Sequence, residues 1–165
     1  MTQHGVKRIN VDEVQEFIRN SSEKTKFYFG ADSERFKKDG VWWADYTLVI
    51  IAHLNGCNGG HVWAEIVRER DWDRKFNRPS LRLMTEVHKL SELFLQFKES
   101  LSEREYEIHL DINPDERYGS SCVVQEAIGY VRGVCGIHPQ LKPNAFAASF
   151  CADRAKDLGF VTIVP

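Results

Sequence analysis

The sequence predicts an α/β domain with a mixed five-stranded sheet and helices on both faces. Aromatic and β-branched runs separated by short turns fill residues 26–70, a pattern typical of β-hairpins. Helical and strand patterns alternate in the second half of the chain, which indicates crossover connections between parallel strands. We therefore expect hairpins first, followed by helices that cover both faces of the sheet.

Each element has its own pattern. "VDEVQEFIRN" and "LRLMTEVHKLSELFLQF" repeat apolar residues at helical spacing, whereas "REYEIHLDIN" alternates apolar and polar residues like a strand. "KKDG" and "NGCNGG" are turn signals that separate the hairpin strands. In chain order, the expected elements are a helix at 11–20, strands at 26–34, 41–53 and 61–70, a helix at 81–97, a strand at 104–113, a helix at 122–135, a short strand at 137–143 and a helix at 144–156.

Length and composition limit the classes to consider. A chain of 165 residues with 42% hydrophobic content suits one domain, and we expect residues 1–165 to form it, with residues 1–24 as an N-terminal helical extension. No apolar run reaches membrane-spanning length, and "MTQHGVKRIN" lacks the apolar segment of a secretory signal. We therefore expect a cytoplasmic protein without a membrane partner. Because the net charge is −2, any nucleic acid must be held by a local basic patch or by metal ions.

One acidic residue falls on the apolar side of the helix at 81–97. Leu83, Val87, Leu90 and Phe94 recur at steps of four and three, and Glu86 lies within the stripe that they form. Burying an ionised carboxylate without a partner costs several kcal/mol or more. We therefore expect a compensating group beneath this helix.

Three further acids occupy positions where solvated surface charge is not expected. Asp32 ends the strand at 26–34, Asp111 lies at the carboxyl end of the strand at 104–113, and Asp153 lies on the apolar side of the last helix. If the two strands are neighbours, Asp32 and Asp111 stand side by side and repel unless a proton or a cation joins them. Oxygen ligands without a cysteine or histidine cluster favour Mg²⁺ or Mn²⁺. Singly, each acid also has an ordinary explanation as a turn, a cap or an arginine partner.

The stretches that carry these acids resemble a known family. "FGADSE", "MTEVHKL", "HLDIN", "VVQEAIGYVRGV" and "KPNAFAASFCADR" are similar to the YkuK-type family of the RNase H-like superfamily, over most of residues 27–156. The resemblance implies an RNase H-like fold and two-metal hydrolysis of phosphodiester bonds in DNA or RNA. It also implies that Asp32 bridges two metal ions, that Glu86 and Asp111 share one of them, and that Asp153 holds the other.

Three polar residues are candidates for supporting roles. Asn113 lies one alternation step beyond Asp111, where it would orient a ligand or a water molecule. His88 and Lys142 are candidates for contacts near the scissile phosphate. A surface histidine and an ordinary turn lysine are the competing interpretations of these two residues.

The segment "RERDWDRKFNR" at 68–78 is the candidate nucleic-acid-binding surface. Arg70, Arg74 and Lys75 would contact phosphates while Trp72 stacks on a base. The alternative is a solvated loop whose charges pair internally, because three acidic residues dilute the positive charge.

Other classes of protein fit less well. A haloacid-dehalogenase-type phosphatase needs an aspartate two residues after its nucleophile, where this chain has Glu34. An ATPase of the actin or sugar-kinase type needs two such domains. The main alternative is a non-catalytic RNase H-like module that binds nucleic acid or a protein.

Overall fold

The protein folds into a mixed sheet with helices on both faces, as the sequence predicts. The computed structural model describes residues 5–56, 60–73, 80–153 and 161–164, with the backbone alone at 152 and 153. In chain order, the elements within these residues are β1 (Val6–Arg8), α1 (Val11–Asn20), β2 (Lys26–Lys38), β3 (Val41–His53), β4 (Gly60–Arg70), α2 (Ser80–Leu95), β5 (Glu105–Leu110), α3 (Val124–Cys135), α4 (Phe146–Asp153) and β6 (Val161–Ile163), with short 3-10 helices at Leu54–Gly56 and Gly119–Val123.

The long strands form an antiparallel meander, to which β5 adds in parallel. The order across the sheet is β1-β4-β3-β2-β5, and β6 pairs with β4 beyond the part that β1 occupies. The turn from β2 to β3 consists of Asp39 and Gly40, whose φ angles of 52° and 79° are those of a tight hairpin. Because β5 ends at Leu110 while β2 continues to Lys38, one edge of β2 is left without a β5 partner beyond Ala31.

The sheet differs from the expected one at its edges. It has six strands among the described residues rather than five, because β1 and β6 add three residues each alongside β4. The short strand expected at 137–143 contributes a single bridge, from Gln140 to His109. Gln140 donates its backbone N–H to Ile108 O and accepts from Leu110 N–H, and a further backbone hydrogen bond joins Lys142 N–H to Ile112 O.

Residues of β2 alternate between two apolar layers. Phe27, Phe29 and Ala31 face α1, α2 and α3, where the predicted stripe of α2 is buried. Tyr28 faces the opposite side, which α4 covers. No helix in the described part of the chain is long and apolar enough to span a membrane.

Helix α4 lies directly against β2 at Gly30. A Cβ atom placed on Gly30 would lie 2.6–2.8 Å from the backbone and Cβ of Ala147. Real atoms do not approach this closely, so only glycine permits the contact. Asp32 lies two residues after Gly30 on the same face of β2. The close contact at Gly30 therefore sets the distance between α4 and the Asp32 carboxylate.

We predict that Gly30→Ala destabilises the protein by about 1–3 kcal/mol, because the added methyl group overpacks a contact with backbone atoms. Gly133→Ala in α3 is the control, because a Cβ there meets nothing within 4 Å. It should be neutral or stabilise by up to about 1 kcal/mol. Chemical denaturation of both variants measures the difference, and equal stabilities would contradict the packing argument.

Candidate functional site

Two carboxylates meet where β5 ends. Ala31 of β2 pairs with Leu110, the last residue of β5. The next residue on each chain is an aspartate, Asp32 and Asp111, and the two side chains are hydrogen-bonded to each other. The parallel pairing of β2 with β5 thus confirms that the two strands are neighbours.

The pair retains a proton because it is partly buried. Burial, the hydrogen bond to Asp111 and the nearby negative charges raise the pKa of Asp32 to about 9. Burial acts to raise the pKa of Asp111 as well, but the hydrogen bond with Asp32 and the ammonium of Lys142 hold it below its usual value. Lys142 Nζ lies 2.5 Å from Asp111 Oδ1. At neutral pH the two carboxyl groups therefore share one proton and one negative charge.

Glu86 of α2 has a polar partner within the core. It is 1% exposed, and its Oε2 accepts a hydrogen bond of 2.7 Å from Ser33 Oγ. Arg82 Nη1 donates to the same Ser33 Oγ at 2.7 Å and so links a guanidinium to the carboxyl group. Burial raises the pKa of Glu86 to about 8, and although Ser33, Arg82 and Lys142 oppose this rise, the charge of Asp111 adds to it.

Arg82 is in turn held by the segment that precedes α2. Its backbone N–H donates to Asp73 Oδ2 at 3.0 Å, near the start of the helix. The backbone N–H of Asp73 donates to Asp71 Oδ1, whose other oxygen lies 2.8 Å from Arg35 Nε. Both acids are buried. They serve as structural acceptors for the backbone that leads into α2.

Helix α4 approaches the acids from the opposite face of the sheet. Burial and the charges of Asp32, Glu86 and Asp111 raise the pKa of the Cys151 thiol, so this residue lies within electrostatic range of all three acids. The backbone of α4 continues to Asp153, two residues later. The side chain of Asp153 lies outside the described residues, and its role stays a prediction.

A buried histidine that the sequence analysis did not select supports α4. The Nδ1 atom of His109 accepts the backbone N–H of Ala147, and its Nε2 lies 3.1 Å from Glu107 Oε1. Burial lowers the pKa of His109 although Glu107 opposes the shift, so the neutral ring donates through Nε2 and accepts through Nδ1. The position of His109 in strand alternation with Asp111 was the available signal. That face of β5 is covered by α4 rather than by water.

The supporting candidates lie in different surroundings. Asn113 Oδ1 accepts the backbone N–H of Asp115, which makes it part of a turn. His88 is exposed and contacts the ring of Tyr130 in α3, with 4.5 Å between ring centroids. Lys142 contacts the acid pair and also borders an open groove of about 780 Å³. The groove is lined by Asn113, Pro114, Asp115, Lys142, Pro143 and Ser149.

The candidate nucleic-acid-binding segment is described in part. Trp72 is 67% exposed, and the guanidinium of Arg70 lies 4.7 Å from its ring centroid. Arg74 and Lys75 lie outside the described residues. The part that is described presents an adjacent arginine and tryptophan to solvent.

The carboxylate oxygens of the acid pair are ligands of the kind that hard divalent cations prefer, and a proton shared between two carboxylates can be exchanged for a metal ion. Across residues 5–56, 60–73, 80–153 and 161–164, however, no three His, Cys, Asp or Glu side chains form a group that could hold a metal ion. A metal site thus stays a prediction.

A mixed sheet with hairpins on one side and a parallel strand on the other is consistent with an RNase H-like fold. The family model described as Ribonuclease H-like matches residues 10–156, so the chain belongs to this family. No protein of curated function and no solved structure matches the sequence.

We predict that raising the pH destabilises the metal-free protein. The pKa values of Asp32 and Glu86 are raised from 3.8 and 4.5 to about 9 and 8, so the folded state binds more protons than the unfolded state between those limits. The free energy of unfolding should fall by at least about 1 kcal/mol between pH 6 and pH 9, which corresponds to about 2–4 °C in Tm. The lowered pKa of Asp111 changes the stability only at acidic pH, below this window. It therefore does not offset the fall in the free energy of unfolding.

Thermal melts in EDTA test this dependence. Asp32→Asn should weaken it, because asparagine can donate to Asp111 as the protonated acid does. Glu99→Gln changes an exposed acid and should behave like the wild type. A Tm that rises from pH 6 to pH 9 would rule out the shared proton.

Proposed function

We propose that this protein is a divalent-metal-dependent nuclease that hydrolyses phosphodiester bonds of DNA or RNA. The observation that carries the proposal is the hydrogen-bonded pair of Asp32 and Asp111 at the end of β5. Burial, together with the adjacent carboxyl group of Asp111, raises the pKa of Asp32 to about 9, an arrangement that a purely structural turn does not require. Membership of the Ribonuclease H-like family supports a nucleic-acid substrate.

The proposed ligands of the cation are the four acids that the sequence singles out: Asp32, Asp111, Glu86 and Asp153. Two Mg²⁺ or Mn²⁺ ions are proposed, because carboxylate oxygens are the ligands that these hard ions prefer. When bound, such ions activate the attacking water and stabilise the leaving oxygen.

The remaining residues position these acids or contact the substrate. Ser33 and Arg82 fix the carboxyl group of Glu86 through hydrogen bonds of 2.7 Å each. Lys142 borders the groove beside the acid pair with 43% of its side chain exposed. Its ammonium is therefore the proposed contact for a phosphate oxygen. Arg70 and Trp72 are proposed to contact the nucleic acid further from the acids.

Within the Ribonuclease H-like family, we assign the chain to the YkuK-type group on the stretches that resemble it, from "FGADSE" to "KPNAFAASFCADR". The proposed location is the cytoplasm.

A non-catalytic nucleic-acid-binding module is the second candidate, and one set of contacts favours it. Lys142 neutralises Asp111, and Ser33 with Arg82 provides the hydrogen-bonding partners of Glu86, so these acids have partners in the absence of a metal ion. Such a module would bind nucleic acid and leave it intact.

We predict that the wild type cleaves labelled nucleic acids in Mg²⁺ or Mn²⁺ and that Asp32→Asn abolishes cleavage. Changing an outer-shell partner of a metal ligand typically lowers activity by about 10–100-fold, and the loss of a direct ligand should exceed that range. A panel of single strands, duplexes and RNA–DNA hybrids provides the measurement, with Glu99→Gln as the control. Cleavage that Asp32→Asn leaves unchanged would contradict the proposed site.

We also predict that Mn²⁺ stabilises the wild type and not Asp32→Asn. A ligand that binds only the folded state adds about 2.7 kcal/mol at 100 times its Kd. Thermal melts across a Mn²⁺ titration measure the shift. Absence of a shift together with nucleic-acid binding would favour the non-catalytic module.

A further inference from the structure

The sheet face that carries Asp32 continues along β2 and β3, through Glu34 and Asp45, to the turn between these strands. Side chains alternate along a strand, so Asp32 and Phe36 of β2 point to the same side. The apolar layer beneath α4 includes Val49 of β3 and Ala64 of β4, and alternation places Trp43 and Arg68 on that side as well. Phe36 lies four positions after Asp32, which corresponds to about 13 Å along the strand.

A pocket of about 280 Å³ lies on this part of the face. We call it the hairpin pocket, and its main lining residues are Phe36, Lys38, Trp43, Arg68, Arg70 and Ile163. Its volume is close to the lower limit for small-ligand sites, which suits a group as large as one nucleobase with its sugar.

Flat cationic and aromatic groups dominate the hairpin pocket. The guanidinium of Arg68 lies 4.8 Å from the ring centroid of Phe36. The guanidinium of Arg70 lies 5.8 Å from the ring centroid of Trp43 and 4.7 Å from that of Trp72. Aromatic rings and guanidinium planes are the surfaces on which proteins stack unpaired bases.

Acidic residues balance the cations around the pocket. Asp45 accepts two hydrogen bonds from Arg68, at 2.7 and 2.9 Å, and Asp39 lines the pocket at the hairpin turn. Binding there would therefore depend on stacking and on a few phosphate contacts rather than on overall positive charge.

We propose that the hairpin pocket binds a base of a single-stranded nucleic acid whose backbone continues along β2 to the acid pair. This inference rests on the proposed function, and it specifies the strand state of the substrate. A single strand is favoured over a duplex because stacking on Trp43 requires a base whose face is not already covered by its neighbours. One sheet face runs from the pocket past Glu34 and Asp45 to Asp32, and the ion pair of Asp45 with Arg68 reduces the negative charge along this path.

The two neighbouring tryptophans of β3 provide a matched pair of variants. Trp43 lines the pocket, whereas Trp42 points to the opposite face, where its ring lies 4.4 Å from the guanidinium of Arg35. Both are half-buried. Trp43→Leu should weaken binding of a fluorescein-labelled single strand by at least about fivefold, and Trp42→Leu should leave it within about twofold.

A second pair tests the phosphate contact. Arg70→Ala should weaken binding and reduce the slope of log K against log salt concentration by about 0.7, the value for one phosphate contact on a single strand. Arg132→Ala removes an exposed arginine from α3, on the other face, and should change neither quantity. This pair keeps the proposal testable if Trp43→Leu fails to fold.

All binding is measured in EDTA, with matching duplexes alongside, so that the result does not depend on hydrolysis. Duplex binding tighter than single-strand binding, equal losses for the two tryptophan variants, or a wild type that binds no nucleic acid would overturn the proposal. Specific binding without cleavage in Mg²⁺ would instead overturn the nuclease and leave the pocket. If the wild type cleaves nucleic acid but Trp43→Leu and Arg70→Ala bind it as the wild type does, the pocket proposal is overturned and the nuclease proposal stands.

Discussion

Two carboxyl groups at the end of a parallel strand pair cannot both be charged without a compensating group, and the arrangement around them follows from this constraint. The pairing of β2 with β5 brings Asp32 and Asp111 together, and it stops one residue before them. The pair shares a proton, and Lys142 supplies the nearest positive charge. The proposed metal ion would take the place of this proton.

Each face of the sheet supports the acids by a different kind of contact. On the side of α2, hydrogen bonds connect Glu86 through Ser33 to Arg82, and Arg82 is anchored by Asp73. On the side of α4, close packing against Gly30 and the cap from His109 hold the helix that leads to Asp153. Polar contacts therefore fix one acid directly, while packing fixes the backbone that carries another.

The proposed substrate path runs along the sheet face against which α4 packs. The described residues of α4 pack over the first half of β2, near Tyr28 and Gly30. Beyond Asp32 the same face presents Phe36, with Trp43 and two arginines from the neighbouring strands. An acidic protein can hold a polyanion in this way because stacking contributes affinity that does not require net positive charge.

The sequence by itself determined the hairpins, the main helices and the acids worth examining, because these depend on local periodicity and turn chemistry. The alternation of β5 and the stripe of α2 were sufficient to identify Asp111 and Glu86 as out of place. β1 and β6 were missed because three-residue edge strands contain too few residues to show a period. Only the tertiary structure decided that Ser33 and Arg82 face Glu86 and that Asp71 and Asp73 are buried acceptors. It also showed that His109 caps α4, since each of these contacts joins residues from different elements whose relative placement is set by packing.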